Sequence, residues 1–428
     1  MLKQISTKTV LKSSIVLTSV RAMSGFLIPA QVPPTLIMES TNTNNLEITL
    51  NSPKSFNALS STQVECLNPT YSSLLKKEEG TNNILVLQGA DTMKKTKAFC
   101  AGGDVRAVYD YGISAAAEHG HVPTGQNSLC DIFFREEYKL NYKIFKLGEK
   151  HQLGVPGNFA QATFWDGIVM GGGVGLSIHA PYRLCFPNTT FAMPETGIGL
   201  FPDVGGSYWL PRLSHGVAMG RYLGLTGRRL DGREAVAVGV GTHYFGGGNT
   251  GDLKSDLLNR VTCNGEHIKD VLEDLSNTSN EGVDLSEITK IEKDIDEINA
   301  AFGPQHLTLQ DCVTQLESMG TDFSKTCLKA FSRASPISMM VTFEMINRGS
   351  DKSMEDCLKM EFNLSQHFMS KAGEKGDFYE GIRALLVDKD NKPVWSHKSI
   401  KDVSPVEVSR YFEVVEGGSP WTPEDGGN

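Results

Sequence analysis

The sequence is short of several things, and each shortage closes a route. No apolar run approaches the ~20 residues that a membrane-spanning helix needs, so no membrane span is expected. The eight cysteines, from Cys66 to Cys357, include no Cys-x-x-Cys pair. In a chain of 428 residues that scatter argues for reduced thiols in a reducing compartment and against a disulfide lattice or zinc knuckle, so no metal site is expected. Cations are outnumbered, 41 Lys and Arg against 50 Asp and Glu, for a formal net charge of -9. That balance argues against nucleic acid as a partner, because such binding rests on clustered Lys and Arg releasing counterions from phosphates. The nucleotide signatures are missing as well: neither glycine cluster is followed by Gly-Lys-Ser/Thr, and neither has dinucleotide-fold spacing. Around Ser177, "GLSIH" approaches a nucleophile elbow, but His179 stands where that pattern needs glycine. Ser177 therefore reads as a helix residue packed behind the glycines. No internal repeat is evident.

What is present describes a globular chain, with 39% hydrophobic and 21% charged residues and a length that favours two domains. Lys3, Lys8, Lys12 and Arg21 precede the first acid, Glu39, with Ser and Thr between them, a composition that suits a mitochondrial import peptide over residues 1–38 and a matrix location. A secretory signal is the rival, because "SSIVLTSV" is apolar, but Ser and Thr interrupt that run. "LEITL" and "ILVLQG" have strand character, and "STQVECLNPTYSSLLKKEE" between them has helical spacing, giving a mixed α/β beginning. "GVGLSIHAP", "SYWLPRL" and "HGVAMGRYLGLTG" are expected to be helical, and "YRLCFP", "TFAM" and "THYF" extended. The glycine run from Gly246 marks a seam between a core over 39–248 and a mostly α-helical region over 249–428, where apolar residues recur at three- and four-residue intervals.

Two glycine clusters and one bent loop carry the chemistry. "FCAGGD" (Phe99 to Asp104) and "MGGGVG" (Met170 to Gly175) each lead into a helical segment, so each can present free backbone N–H groups where peptide dipoles favour negative charge. Two such donors make an oxyanion hole, and losing one donor from such a hole costs about 3 to 4 kcal/mol of barrier. The alternative is two tight turns with close helix packing. In "AMPETGIGLFPDVGG", Glu195 and Asp203 are hemmed in by Met193, Ile198, Leu200 and Phe201. An apolar surround raises a carboxyl's pKa and makes it a useful acid or base near neutral pH. Taken singly, Glu195 could be a loop carboxylate facing water and Asp203 the cap of a helix starting near Val204.

Together, "KAFCAGGD", "MGGGVGLS" and "FAMPETGIGLFPDVGGSYWLPRL" resemble the crotonase, or enoyl-CoA hydratase/isomerase, superfamily. "NSPKSFNALS", "DIFFREEYKLN", "LTGRRLDGREAVAVGVGTHYF" and "GDFYEGIRALLVDKDNKPVW" extend the likeness from Glu47 to Trp395 and draw it toward the branch that cleaves the CoA thioester of 3-hydroxyisobutyrate in valine breakdown. The resemblance implies a crotonase-type spiral of ββα repeats followed by the helical domain. It also implies an acyl-CoA substrate whose thioester oxygen is held by the N–H groups of Gly103 and Gly172. The family's acids fall on Glu195 and Asp203, with a substrate-site carboxylate on Glu137 unless its neighbour Glu136 is the one facing in. Binding of the CoA end is expected from the main chain near Ala101 and Asp104 and from Lys54 in "SPKSFNAL", whose alternative is an exposed loop lysine.

A hydratase carries a second catalytic Glu at the position of Gly175 and a glycine at that of Asp203, so the acid pair here is rearranged in favour of hydrolysis. Glu195 either attacks the carbonyl to form a mixed anhydride or serves as base to a water. No cofactor is implied beyond the coenzyme A of the substrate itself, and a homo-oligomer stays open. Two rivals stay open too: another acyl-CoA enzyme of the superfamily, and a non-catalytic relative of the kind recruited into mitochondrial ribosomes. One stretch departs from the resemblance. "KLGEKHQLGVPGNFAQATFWDGIV" is about ten residues longer than expected and poor in strand character, so the strand that should support Gly172 is not legible there.

Overall fold

The computed structural model describes residues 20–423 apart from 24–25, 30, 41–44, 78–82, 93–94, 123–127, 156–158, 263, 372–375 and 416–417. The first half of the import peptide expected over 1–38, residues 1–19, lies outside the described residues. β1 (Val20–Met23) and β2 (Phe26–Pro29) form an antiparallel hairpin, and β3 (Leu36–Ser40) pairs antiparallel with β4 (Leu46–Leu50) at the edge of a larger sheet.

From β4 onward the chain repeats one device. A strand enters a six-stranded sheet, the next short strand enters a four-stranded sheet, and a helix or turn returns the chain for the next round. The strands are β5 (Asn83–Gly89) and β6 (Ala98–Cys100), β7 (Phe159–Trp165) and β8 (Ile168–Met170), β9 (Tyr182–Cys185) and β10 (Thr190–Ala192). β11 (Leu230–Asp231) and β12 (His243–Tyr244) complete the sheets, whose orders are β12-β9-β7-β5-β4-β3 and β11-β10-β8-β6. β4, β5, β7, β9 and β12 are mutually parallel, as are β6, β8 and β10. Parallel strands must be covered on both faces, which accounts for the unbroken apolar run "ILVL" in β5. Leu85 and Leu87 face the main core, while Ile84 and Val86 join Ala160, Ala162, Phe164 and Leu184 beneath the helices Thr250–Thr262 and Ile268–Ser279.

The helices that matter for the site follow from ordinary local signals. α1 (Ser61–Leu75) starts at a capping box, Ser60 with Gln63, and α2 (Val105–His119) is capped by the Asp104 carboxylate accepting from Ala107 N at 3.1 Å. α3 (Leu129–Gln152) begins at Ser128, whose hydroxyl accepts from Asp131 N at 3.0 Å. The segment "GVGLSIHAP" forms only a four-residue helix, α4 (Gly172–Gly175), before the chain turns toward β9. Likewise "SYWLPRL" divides into α5 (Gly206–Trp209) and a 3-10 turn, with α6 (Gly216–Thr226) following as its spacing predicts.

The strand that the sequence of 146–169 left in doubt is present. The first residues of that segment close α3, and Phe159–Trp165 is β7, in the middle of the large sheet with all seven residues buried. Gln161 and Thr163 hide its strand character, because two polar side chains sit inside. Tyr71 Oη donates to Gln161 Oε1 at 2.8 Å, while Gln161 Nε2 donates to Thr163 Oγ1 at 3.0 Å and to the Leu176 carbonyl at 2.8 Å. A buried amide so satisfied is tolerated in a strand where an unpaired one would not be. Ser177 is fully buried behind the glycines, as expected, but in the turn past the end of α4 and not in a helix; it donates to Gly173 O at 2.8 Å and accepts from Trp165 Nε1 at 3.0 Å.

Beyond the seam, the helices Pro336–Gly349 and Met354–Met369 pack on α6 and α3, and their apolar residues share one core with the sheets. The chain end returns to α3 as well. Trp421, 1% exposed, donates its Nε1–H to the Arg135 carbonyl at 3.1 Å, and the Arg135 guanidinium donates to Ser419 O and Pro420 O at 3.0 and 2.9 Å. That clamp holds the helix bearing Glu137. Among the described residues no helix is long and apolar enough to cross a membrane.

Candidate active site

Register builds the site. In the four-stranded sheet Cys100 lies opposite Val169, and Val169 opposite Phe191, so the three strands end side by side. Their continuations are the stretches holding Gly103, Gly172 and Glu195, gathered at the carboxyl edge of parallel strands, where open α/β sheets place their ligands.

In the first stretch Ala101 N donates to Phe56 O at 3.0 Å and Asp104 N to Leu59 O at 2.8 Å, while Leu59 N donates to Gly102 O at 2.8 Å. Those bonds fix the turn and engage the amides of Ala101 and Asp104 within the chain. The Asp104 side chain is the α2 cap, so this residue shapes the loop. The amide of Gly103 takes no part in this pairing. The Gly172 amide opens α4, a position with no intrahelical acceptor. The two turns approach closely. A methyl group placed on Gly172 would lie 3.1 Å from Gly103 N and 2.6 Å from Glu137 Oε1. One placed on Gly171, whose φ of +44° is open to glycine, would lie 3.2 Å from Glu195 Oε1. Only glycine leaves this space free, and two carboxylates and the Gly103 amide border it.

Glu195 begins the 3-10 turn Glu195–Ile198 and is 6% exposed, with Oε2 lacking a hydrogen-bond partner. Burial, then the nearby Asp203, holds its carboxyl well above the usual range. Asp203, 5% exposed, accepts from Tyr138 Oη at 3.0 Å, and burial pushes its pKa up to about 7 against the lowering effect of that hydrogen bond. It does not cap a helix, since Gly205 precedes α5. Glu137 rather than Glu136 faces inward. It is 2% exposed with Oε1 unpartnered, and burial followed by Asp203 raises its pKa well above normal. Glu136 instead pairs with Lys139 at 2.8 Å at the margin. Met193, Leu200 and Phe201 are buried around the pair of acids. Lys54 is exposed on the 3-10 turn Pro53–Ser55, beside the Phe56 carbonyl that holds Ala101.

Sequence reasoning missed several contributors. Tyr138 and Asn141 lie one and four positions after Glu137 on α3, and the i,i+4 spacing that sets Asn141 on the face of Glu137 was the available signal. Val204, β-branched, adopts φ +52°, a strained conformation directly after Asp203, and His179 Nε2 contacts its carbonyl at 2.9 Å. Burial lowers the His179 pKa to about 4, so at neutral pH the ring is uncharged and can donate one N–H to that carbonyl. Glu361, more than 150 residues away, accepts from Gly205 N at 2.7 Å and from Ser207 N at 2.8 Å, pinning the end of the acid loop to the C-terminal helices. Nothing in local spacing announces that contact. At the position where a hydratase has its second Glu, Gly175 has no room for a side chain: a methyl group there would lie 2.8 Å from both Asn141 Nδ2 and Val204 Cβ. Among the described residues no group of His, Cys, Asp or Glu is arranged to hold a metal ion.

A spiral of ββα turns whose small parallel sheet delivers two glycine loops and a buried acid to one edge defines an enzyme of the crotonase fold. The chain belongs to the enoyl-CoA hydratase/isomerase family, whose sequence profile matches residues 46–412. It is 39% identical over 374 residues to a Dictyostelium discoideum protein named "3-hydroxyisobutyryl-CoA hydrolase, mitochondrial", covering 86% of this chain and 89% of that one. Proteins of the same name from Rattus norvegicus and Homo sapiens are 37% and 35% identical over 367 residues, each covering 86% of this chain and 86% and 85% of their own lengths. Among solved structures, an enoyl-CoA hydratase from Rhodobacter sphaeroides superposes with a TM-score of 0.68 at 26% identity, covering 91% of this chain and 99% of that one. A carnitinyl-CoA dehydratase from Mycobacterium thermoresistibile gives 0.69 at 26% identity, covering 90% and 98%.

Proposed function

We propose that this protein hydrolyses 3-hydroxyisobutyryl-CoA to 3-hydroxyisobutyrate and free CoA in valine catabolism, within the mitochondrial matrix. The observation that carries the reading is the exchange of acids: Gly175 has no space for a second hydratase carboxylate, while Asp203 is buried beside Glu195. The names of the relatives support the same substrate and the same organelle.

In this reading the thioester oxygen lies between the amides of Gly103 and Gly172, which stabilise the charge that develops as the carbonyl becomes tetrahedral. Glu195, once ionised, attacks the carbonyl carbon to give CoA thiolate and a mixed anhydride, which water then cleaves to the free acid and the Glu195 carboxylate, or it takes a proton from a water that attacks the carbonyl directly. Both routes use the same groups. Asp203, with a pKa near 7, is protonated in a substantial fraction at neutral pH and can give a proton to the departing sulfur, while Tyr138 fixes its orientation. Thiolate is already a good leaving group, so the coenzyme A of the substrate is the one cofactor-like group the reaction needs. In this reading the main chain near Ala101 and Asp104 and the exposed Lys54 would hold the CoA end of the substrate. The import peptide is proposed over residues 1–38, and the mostly helical region over 249–428 would form the second structural unit.

The test is release of free thiol from 3-hydroxyisobutyryl-CoA by the native protein, Glu195→Gln and Asp203→Asn. Both variants are expected to lose at least 100-fold in kcat, a loss of the size assigned to positioned acid–base groups, while still binding CoA esters. Unchanged turnover in both removes the acids from the reaction.

A further inference from the structure

Asn141 is wholly buried on α3, yet neither its Nδ2 nor its Oδ1 has a hydrogen-bond partner. An amide left so in a closed interior is destabilising, so its retention inside the enzyme calls for a ligand that completes it. Its place narrows the choice. One helical turn beyond Glu137, the amide nitrogen occupies the space into which a side chain on residue 175 would project, next to Val204 and therefore beside the acid loop. Gly175 ends the same short helix that Gly172 opens. The amide thus reaches in between the turn that presents an oxyanion donor and the strained residue that follows Asp203.

We infer that Asn141 is the residue that reads the 3-hydroxyl of the acyl group and sets the preference for 3-hydroxyacyl over plain acyl thioesters. An amide offers both a donor and an acceptor. A hydroxyl is the small group that can answer both, accepting from Nδ2 and donating to Oδ1, whereas a methyl group answers neither. Glu137 Oε1, unpartnered on the same helix face, is a second acceptor within this corner. A site built to hydrogen-bond a hydroxyl rejects the analogue lacking it far more strongly than an apolar pocket rejects one with a hydroxyl added. The inference rests on the hydrolase reading above and names the part of that site which recognises the acyl group.

The experiment compares 3-hydroxyisobutyryl-CoA with isobutyryl-CoA in the native protein and in Asn141→Leu and Asn141→Ala, measuring kcat/KM, with thermal unfolding of each. Asn141→Leu is expected to lose 30-fold or more on the hydroxy ester, of the order found when a hydrogen bond to a substrate hydroxyl is removed, and to stay within about threefold on isobutyryl-CoA. Its melting temperature should not fall, because an unpartnered amide is being removed. Asn141→Ala should lose the same discrimination if the larger side chain fails to pack. Equal losses on both esters, or no loss on either, overturn the assignment, as does a lowered melting temperature with selectivity intact, which would give the amide a structural role. Calorimetric titration of carba analogues, with methylene replacing sulfur, reads the same discrimination as a ratio of Kd values without turnover. A native protein that hydrolyses neither ester but whose Asn141→Leu variant loses preference for the hydroxylated analogue therefore refutes hydrolysis and supports the amide's role; unchanged Kd ratios refute that role.

Discussion

Four carboxyl groups, those of Glu137, Glu195, Asp203 and Glu361, are buried; the first two and Glu361 each feel the charge of Asp203, and for all four the largest effect on the pKa is loss of water. Their pKa values rise, to about 7 for Asp203 and about 8 for Glu361. The consequence for stability has a definite sign. Between the ordinary Asp value of 3.8 and about 7, the folded protein binds a proton at Asp203 that the unfolded chain has released. Stability attributable to this group therefore decreases as pH rises across that window and levels off above it, the reverse of a salt-bridged aspartate. Melting temperatures of the native protein and Asp203→Asn measured from pH 5 to 8 are expected to diverge, with the variant gaining relative to the native protein toward higher pH. Gly175→Ala is a second test at this scale. A methyl group at 2.8 Å from Asn141 Nδ2 and Val204 Cβ forces both aside, and about 1 to 3 kcal/mol of destabilisation is expected in chemical denaturation, with kcat reduced.

At the scale of elements, what could be read from the sequence followed how each residue type reports its surroundings. α1 and β5 were legible because their apolar spacing and capping residues agree with the structure they form. The glycine loops and the acid pair were legible as types and order, yet their convergence depends on the strand register of β6, β8 and β10, which spacing along the chain does not encode. β7 was illegible for a specific reason: Gln161 and Thr163 look like surface residues and are instead held by Tyr71 and Leu176. The same bonds yield a prediction. Tyr71→Phe leaves the Gln161 oxygen without its donor in a closed interior, which should cost about 1 to 3 kcal/mol in urea unfolding. Tyr71→Phe together with Gln161→Leu should not recover that loss, because it also takes the donor from Thr163 Oγ1 and the Leu176 carbonyl.

Over the whole molecule, the C-terminal half braces the elements that carry the candidate site. Glu361 fastens the end of the acid loop through Gly205 and Ser207, Ser335 N donates to Thr196 O at 2.9 Å, and Ser419 to Trp421 clamp α3 from outside. These contacts span the longest sequence separations in the site, which is why no local pattern foretold them. Trp421→Ala removes a side chain that is 1% exposed, and about 3 to 5 kcal/mol of stability should go with it. Because α3 carries Glu137 and Asn141, the variant's thiol release should fall at temperatures where circular dichroism still reports a folded protein.

The clamp also bears on biogenesis. A nascent polypeptide emerging from a ribosome cannot brace its acid-bearing helix until Trp421 has left the exit tunnel, 286 residues after the Arg135 carbonyl that the indole grips.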